Sequence, residues 1–135
     1  MNIKQTLYKI FEKAGIDAIE VSGGNGSSPK VLKGNLAAVR TEIAVSKDKE
    51  SYFAKHASLL AKEVNIPVIL TGGNRHFDVM EEILNTTGIA YYSFSRPLIS
   101  EPNLIKRWES GNREKPRCIS CNKCFNPNGI RCIYK

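Results

Sequence analysis

Two kinds of hydrophobic spacing alternate along the chain. Ile3, Leu7, Ile10 and Phe11 recur at three- and four-residue intervals, which collects side chains on one face of a helix, and Gly15 follows as a stop. This pattern predicts a helix over residues 3–14. "IDAIEVSGG" is short, rich in Ile and Val and closed by glycines, and reads as a strand. Residues 23–47 begin with Gly, Ser and Pro; so long a connection marks a functional loop, with room for short strands around 30–45. In "DKESYFAKHASLLAKEV", Phe53, Ala57, Leu60 and Val64 share a helical face, and Pro67 lies just past the end. "IPVILTGG" has the length and β-branched content of a buried strand. "HFDVMEEILNTTG" predicts a helix with Phe77, Met80 and Ile83 or Leu84 inward and Gly88 at its stop. "IAYYSFSRP" reads as a third strand ended by Pro97, and "EPNLIKRWESG" as a final short helix.

The order is therefore helix, strand, loop, helix, strand, helix, strand, helix, tail. Strands alternating with helices imply parallel βαβ crossovers, in a doubly wound sheet or in part of a (β/α) barrel. An all-parallel sheet needs cover on both faces, and a complete eight-stranded barrel takes about 250 residues. At 135 residues the chain is long enough for one core, yet three strands make it look like part of a larger assembly. The expected division is an α/β unit over residues 1–112 and a cysteine-rich tail over 113–135.

Composition narrows the class. Hydrophobic residues make up 41% and charged residues 24%, ordinary values for a globular chain. No apolar run approaches the roughly 20 residues needed to cross a bilayer. Charges scattered through "MNIKQTLYKIFEKAG" do not make a signal peptide, so a cytoplasmic location is expected, where clustered thiols favour a metal over disulfides. The net charge of +7 is uneven: residues 106–135 hold eight basic and two acidic side chains, leaving +1 for the rest. A basic tail suits nucleic acid, but a solvated surface or local balance of thiolate charge accounts for it better.

Two strand ends carry residues suited to an anion. Thr71-Gly72-Gly73 closes the second strand before a helix, where backbone N–H groups can approach a phosphate closely. Ser95-Arg96-Pro97 closes the third, and an arginine there can grip the same phosphate with two donors. Ser22-Gly23-Gly24 forms a similar rim after the first strand, equally explained as a turn. His56 reads as a surface residue beside the inward Ala57, and His76 stands at a helix-cap position. Glu81 and Glu82 are adjacent on a helix and do not face each other. No Ser-His-Asp or Cys-His nucleophile arrangement can be assembled.

The cysteines are the most specific signal. Cys118, Cys121, Cys124 and Cys132 follow the pattern C-x2-C-x2-C-x7-C, and two-residue gaps let successive thiolates turn toward one centre. Pro127, Asn128 and Gly129 ease the return. Four thiolates satisfy a tetrahedral zinc or an iron–sulfur cluster, and four free thiols are the alternative to both.

These stretches together resemble a known family. "AGIDAIEVSGG", "ESYFAKHASLLAKEVNIPVILTGGNRHFDVMEEIL", "GIAYYSFSRPLISEPNLIKRWESG" and "RCISCNKCF" are similar to the C-terminal part of the old yellow enzyme family. The likeness is to its NADH:flavin oxidoreductase branch with a cysteine cluster after the barrel, which includes 2,4-dienoyl-CoA reductase. It implies that the strands are the sixth to eighth of a (β/α)8 TIM barrel that binds FMN at its C-terminal rim. It further implies that Gly72, Gly73, Ser95 and Arg96 hold the FMN phosphate. By the same match, Cys118, Cys121, Cys124 and Cys132 hold a four-iron four-sulfur cluster (4Fe-4S). The cysteine spacing is shorter than in those relatives, which keeps zinc or no metal open, and His76 replaces a small capping residue.

Most of that family's substrate-binding and proton-donating groups lie on its first five strands, which this chain lacks. The resemblance thus implies an FMN-phosphate-binding piece of an NAD(P)H oxidoreductase, inactive alone. Such a piece is a fragment, a split gene product, or a half-barrel completed by a homodimer or a separate N-terminal chain. A rival reading is a small zinc- or cluster-binding module whose basic tail binds nucleic acid. It needs aromatic residues interleaved with the basic ones, and Trp108, Phe125 and Tyr134 are not so patterned.

Overall fold

Three short strands, β1 (Ile19–Val21), β2 (Val68–Thr71) and β3 (Tyr91–Ser93), form a parallel sheet in the order β1-β2-β3. The computed structural model describes residues 3–23, 46–124 and 128–134. The suggested strands around 30–45 lie outside the described residues. The helices are α1 (Ile3–Lys13), α2 (Ala54–Ala61), α3 (Phe77–Thr86), α4 (Arg96–Ser100) and α5 (Leu104–Glu109), with a 3-10 turn at Lys47–Lys49. Strands in chain order, parallel and separated by helices, are what the alternating spacing predicted. The result is a mixed α/β fold compatible with part of an α/β barrel.

The register shows which face is covered. Val21, Leu70 and Tyr92 align across the sheet, as do Ile19 and Val68, and Val68 and Leu70 are fully buried. They pack with Ala57, Leu60 and Val64 of the α2 segment, so the predicted apolar stripe is the stripe that meets the sheet. Burying one such aliphatic side chain contributes roughly 1.5–3 kcal/mol. Glu20, Ile69 and Tyr91 form the alternate row. Glu20 is exposed and Tyr91 is 60% exposed, so the opposite face lacks a covering layer among the described residues.

A second cluster joins α3 to α5. Met80, Leu104 and Trp108 are buried against Phe77, Phe94 and Leu98. Tyr92 links the two clusters, and its hydroxyl donates to the Met80 carbonyl at 2.9 Å. Burial pushes the Tyr92 hydroxyl far above the ordinary phenol range.

Several elements differ from expectation. The helix predicted over 48–64 is shorter, because Ser51 takes φ 45° and its N–H donates to the Gly73 carbonyl instead of entering a helix. Among the described residues nothing buries the apolar stripe of α1, where Leu7, Ile10 and Phe11 are all exposed, while Tyr8 packs on the core. Gly88 follows the extended cap residue Thr87 of α3 and is closely packed: a Cβ there would stand 3.1 Å from the Ala61 Cβ. Pro97 does not end β3 directly. It lies in the first turn of α4, where its missing N–H costs no helical bond.

α4 leads into an ion pair that fixes the end of the α/β unit. Arg107 Nε lies 2.6 Å from Glu101 Oε1, and both side chains are largely shielded. The Arg107 guanidinium holds the Glu101 carboxyl below its ordinary range, with Arg117 adding to the effect and burial opposing it. A depressed folded-state pKa gives stability present above about pH 4.5, lost as pH falls through the folded value. In acid titrations followed by circular dichroism, Glu101→Gln is therefore expected to flatten stability loss below pH 4.5. An acid limb identical to the parent's would remove Glu101 as a contributor.

Candidate functional site

The ends of β2 and β3 open on one cleft, lined by Gly72, Gly73, Asn74, Arg75, Ser93, Phe94, Arg96 and Pro97. Gly72 and Gly73 have φ 105° and 74°, conformations that side chains with a Cβ rarely adopt. Gly72 also has no space for one, since a Cβ would lie 2.7 Å from the Tyr52 ring. Three of the four predicted phosphate residues, Gly72, Gly73 and Arg96, thus share this cleft. Ser95 stands beside it, exposed, and its carbonyl accepts from the N–H groups of Leu98 and Ile99. Of the third rim, the described Ser22 and Gly23 do not line this cleft; Gly23 abuts Phe53, with a Cβ there placed 2.6 Å from the ring, and Gly24 lies outside the described residues.

The loop after β2 holds the cleft in shape through residues that the sequence reading passed over. Buried Asn74 donates to the carbonyls of Leu70 at 3.0 Å and Ser93 at 3.3 Å, tying the ends of β2 and β3 together. Its Oδ1 accepts from Ser51 Oγ at 3.0 Å. Glu50, with a side chain 3% exposed, lies 2.6 Å from His76 Nδ1 and accepts the His76 backbone N–H at 3.0 Å. His76 does occupy the cap position of α3, but this carboxylate is what caps the helix, a role chemically suited to a helix N-terminus. Asn74 and Arg75 directly follow the Gly-Gly turn in sequence, whereas nothing in the sequence near Glu50 points to this site. His56 is exposed, as expected, and so are Glu81 and Glu82.

Arg75 is 4% exposed and reaches away from the strands to the cysteine segment. Its Nη1 donates to the Cys118 carbonyl at 2.5 Å, its Nη2 donates to Ser120 Oγ, and Cys118 Sγ lies 3.7 Å from Nη2. Ser120 is buried at φ 58° and Asn122 has φ 61°. These left-handed turns on either side of Cys121 bend the segment, and all four cysteines line one cavity with Arg96 and Asn122. Arg96 therefore borders both the glycine cleft and the thiol cavity.

The cysteines are free thiols. Burial pushes the Cys124 thiol up, Cys118 and Cys121 nearby add to this, and Arg96 opposes it. Soft donors gathered on one cavity fit a thiophilic ion by type, which would relieve that cost. Their placement is looser: no set of three His, Cys, Asp or Glu side chains among the described residues is arranged to hold a metal ion. Glycine amides and an arginine fork on the other cleft fit a phosphate by the same test of donor chemistry.

The rival nucleic-acid reading loses one of its aromatics. Trp108 is buried between Phe77 and Phe94, with ring centroids 5.6 and 5.8 Å away. It is therefore withdrawn from base stacking. Tyr134 is exposed, and Phe125 lies outside the described residues. No helix among the described residues is long and apolar enough to cross a membrane.

Comparison with known proteins finds similarity to oxidoreductases. The chain is 29% identical over 131 residues to the bilirubin reductase of Clostridium symbiosum, covering 93% of this chain and 34% of that protein. It is 30% identical over 117 residues to the NADH oxidase of Thermoanaerobacter brockii, covering 86% of this chain and 16% of the relative. It is 28% identical over 99 residues to the NADH-dependent flavin oxidoreductase iliE of Hypocrea jecorina, covering 73% and 24%. The chain is thus similar to oxidoreductases over most of its own length while spanning 16–34% of theirs. No model of a known protein family matches the sequence.

Proposed function

We propose that the chain is the C-terminal FMN-phosphate-binding portion of an NAD(P)H:flavin oxidoreductase of the old yellow enzyme kind. On this reading β1, β2 and β3 are the sixth to eighth strands of a (β/α)8 barrel, residues 1–112 are its last units and 113–135 a metal-binding tail. The convergence of Gly72, Gly73 and Arg96 on one cleft between adjacent parallel strand ends carries the proposal. Anion sites in α/β folds lie at such carboxyl ends of strands. Names of relatives that specify NADH and a flavin support it.

The residues here would bind and orient rather than react. The amides of Gly72 and Gly73 would receive the phosphate, and the Arg96 guanidinium would neutralise it from the β3 side. Ser95 would contribute at the edge. When bound, FMN supplies hydride chemistry that side chains cannot. The cysteine tail, by donor type, would hold an iron–sulfur cluster, with zinc the alternative. The open sheet face and the exposed stripe of α1 are surfaces that the remaining barrel, or a second copy of this chain, would cover.

Anaerobic absorbance spectroscopy with size determination tests this. After mixing with FMN and desalting, a flavin band is expected to stay with the protein and to be lost in Arg96→Ala. A broad sulfur-to-iron band is expected without FMN. Complete loss of flavin from the parent chain, alone and with an N-terminal half-barrel, would sink the phosphate reading. Salt-dependent binding of single-stranded nucleic acid in its place would favour the rival.

A further inference from the structure

Among the described residues, Arg96 is the one side chain that borders both the glycine cleft and the thiol cavity and also bonds to the cysteine segment. Its Nη1 donates to Asn122 Oδ1 at 2.6 Å. Among the described residues that is its one hydrogen bond, so most of the five donors of the guanidinium fork stay open. Asn122 stands between Cys121 and Cys124 in the chain, at φ 61°, a conformation that asparagine tolerates better than most residues. A second tie runs in parallel, since Arg75 also lines the cleft and bonds to Cys118 and Ser120. The cysteine segment is thereby fastened to the rim of the cleft by two arginines.

Resting on the phosphate reading above, we infer that Asn122 is a positioning residue for Arg96, and that the Asn122–Arg96 bond couples anion binding in the cleft to order in the cysteine segment. An anion drawn to the open donors of Arg96 fixes the guanidinium. The fixed Nη1 then holds Asn122, and with it the two cysteines on either side. The coupling is reciprocal, so loss of Asn122 also costs anion affinity.

The test uses the full chain and FMN as probe. Cysteine labelling by an aromatic disulfide reagent is timed with and without saturating FMN, and FMN affinity is measured by fluorescence. FMN is expected to slow labelling at least about 5-fold in the parent chain, the low end of ordinary coupling. Asn122→Gly removes the amide without straining the backbone. It is expected to abolish this protection and to raise the Kd for FMN at least about 10-fold, the low end for a hydrogen bond to a charged group. Asn122→Asp is expected to weaken FMN further, because its carboxylate competes with phosphate for Arg96.

Bound FMN with unchanged labelling in the parent would overturn the coupling and leave the phosphate site standing. Protection that persists in Asn122→Gly would overturn the role of Asn122. Failure of the parent to bind FMN at all would overturn both.

Discussion

Gly72→Ala is expected to lower unfolding stability by roughly 2–4 kcal/mol and to cost most of the affinity for FMN. Two independent effects add. The backbone at φ 105° disfavours any Cβ, and that Cβ would sit 2.7–2.8 Å from ring atoms of Tyr52 and 2.9 Å from its hydroxyl. Relief by a backbone shift moves Gly73 and Asn74, and Asn74 holds the ends of β2 and β3 together. Stability and binding therefore fall together. Guanidinium unfolding with a double-mutant cycle separates the two causes: in a Tyr52→Ala background the steric part disappears and only the backbone part remains. Equal costs in both backgrounds would show that Tyr52 does not press on this turn.

The parts of the fold that were legible in the sequence are those where local spacing and tertiary burial agree. Ala57, Leu60 and Val64 were readable as a core stripe because the face that buries them is the face their period defines. The parallel order of the sheet followed from alternation alone. Other features depend on partners distant in the chain. Ser51 leaves the helical pattern because Gly73 and Asn74, more than twenty residues away, offer its N–H and hydroxyl better partners. α1 reads as amphipathic, yet its stripe faces outward, since periodicity says that a face is apolar and not what covers it.

The site shows the same division. That Gly72, Gly73 and Arg96 would share one cleft was legible because strand-end glycines and arginines have a direct chemical meaning. Glu50, Asn74 and Arg75 were not, because a polar residue in a loop carries no local sign that it is buried and fully engaged. Cysteine spacing announced a shared cavity. It did not announce the left-handed turns at Ser120 and Asn122 that create it, nor the two arginines that anchor it. Ser120 in that conformation is strained, and such strain persists where surrounding contacts impose it, here the buried Arg75.

Trp108→Ala is expected to be the most damaging single substitution, at about 3–5 kcal/mol. The indole is 6% exposed and edge-on to both Phe77 and Phe94, so truncation opens a cavity where α3, β3 and α5 meet. Its consequences extend to the cysteine segment. Trp108 Nε1 donates to the Glu114 carbonyl at 2.9 Å, and Arg107 Nη2 donates to the same carbonyl at 3.0 Å. These bonds set where the chain leaves α5, and four residues later Cys118 meets Arg75. Trp108→Phe keeps an aromatic ring between Phe77 and Phe94 and removes the N–H together with part of the indole volume. It should cost about 1 kcal/mol in stability while raising thiol accessibility. Far-UV circular dichroism measures unfolding in both variants, because this is the sole tryptophan and its fluorescence disappears with it. If Trp108→Phe leaves cysteine labelling at the parental rate, the Glu114 bond does not guide the tail. The tail's position would then rest on other ties, among them Arg75, Arg96 and the Arg117 bond to the Ser100 carbonyl.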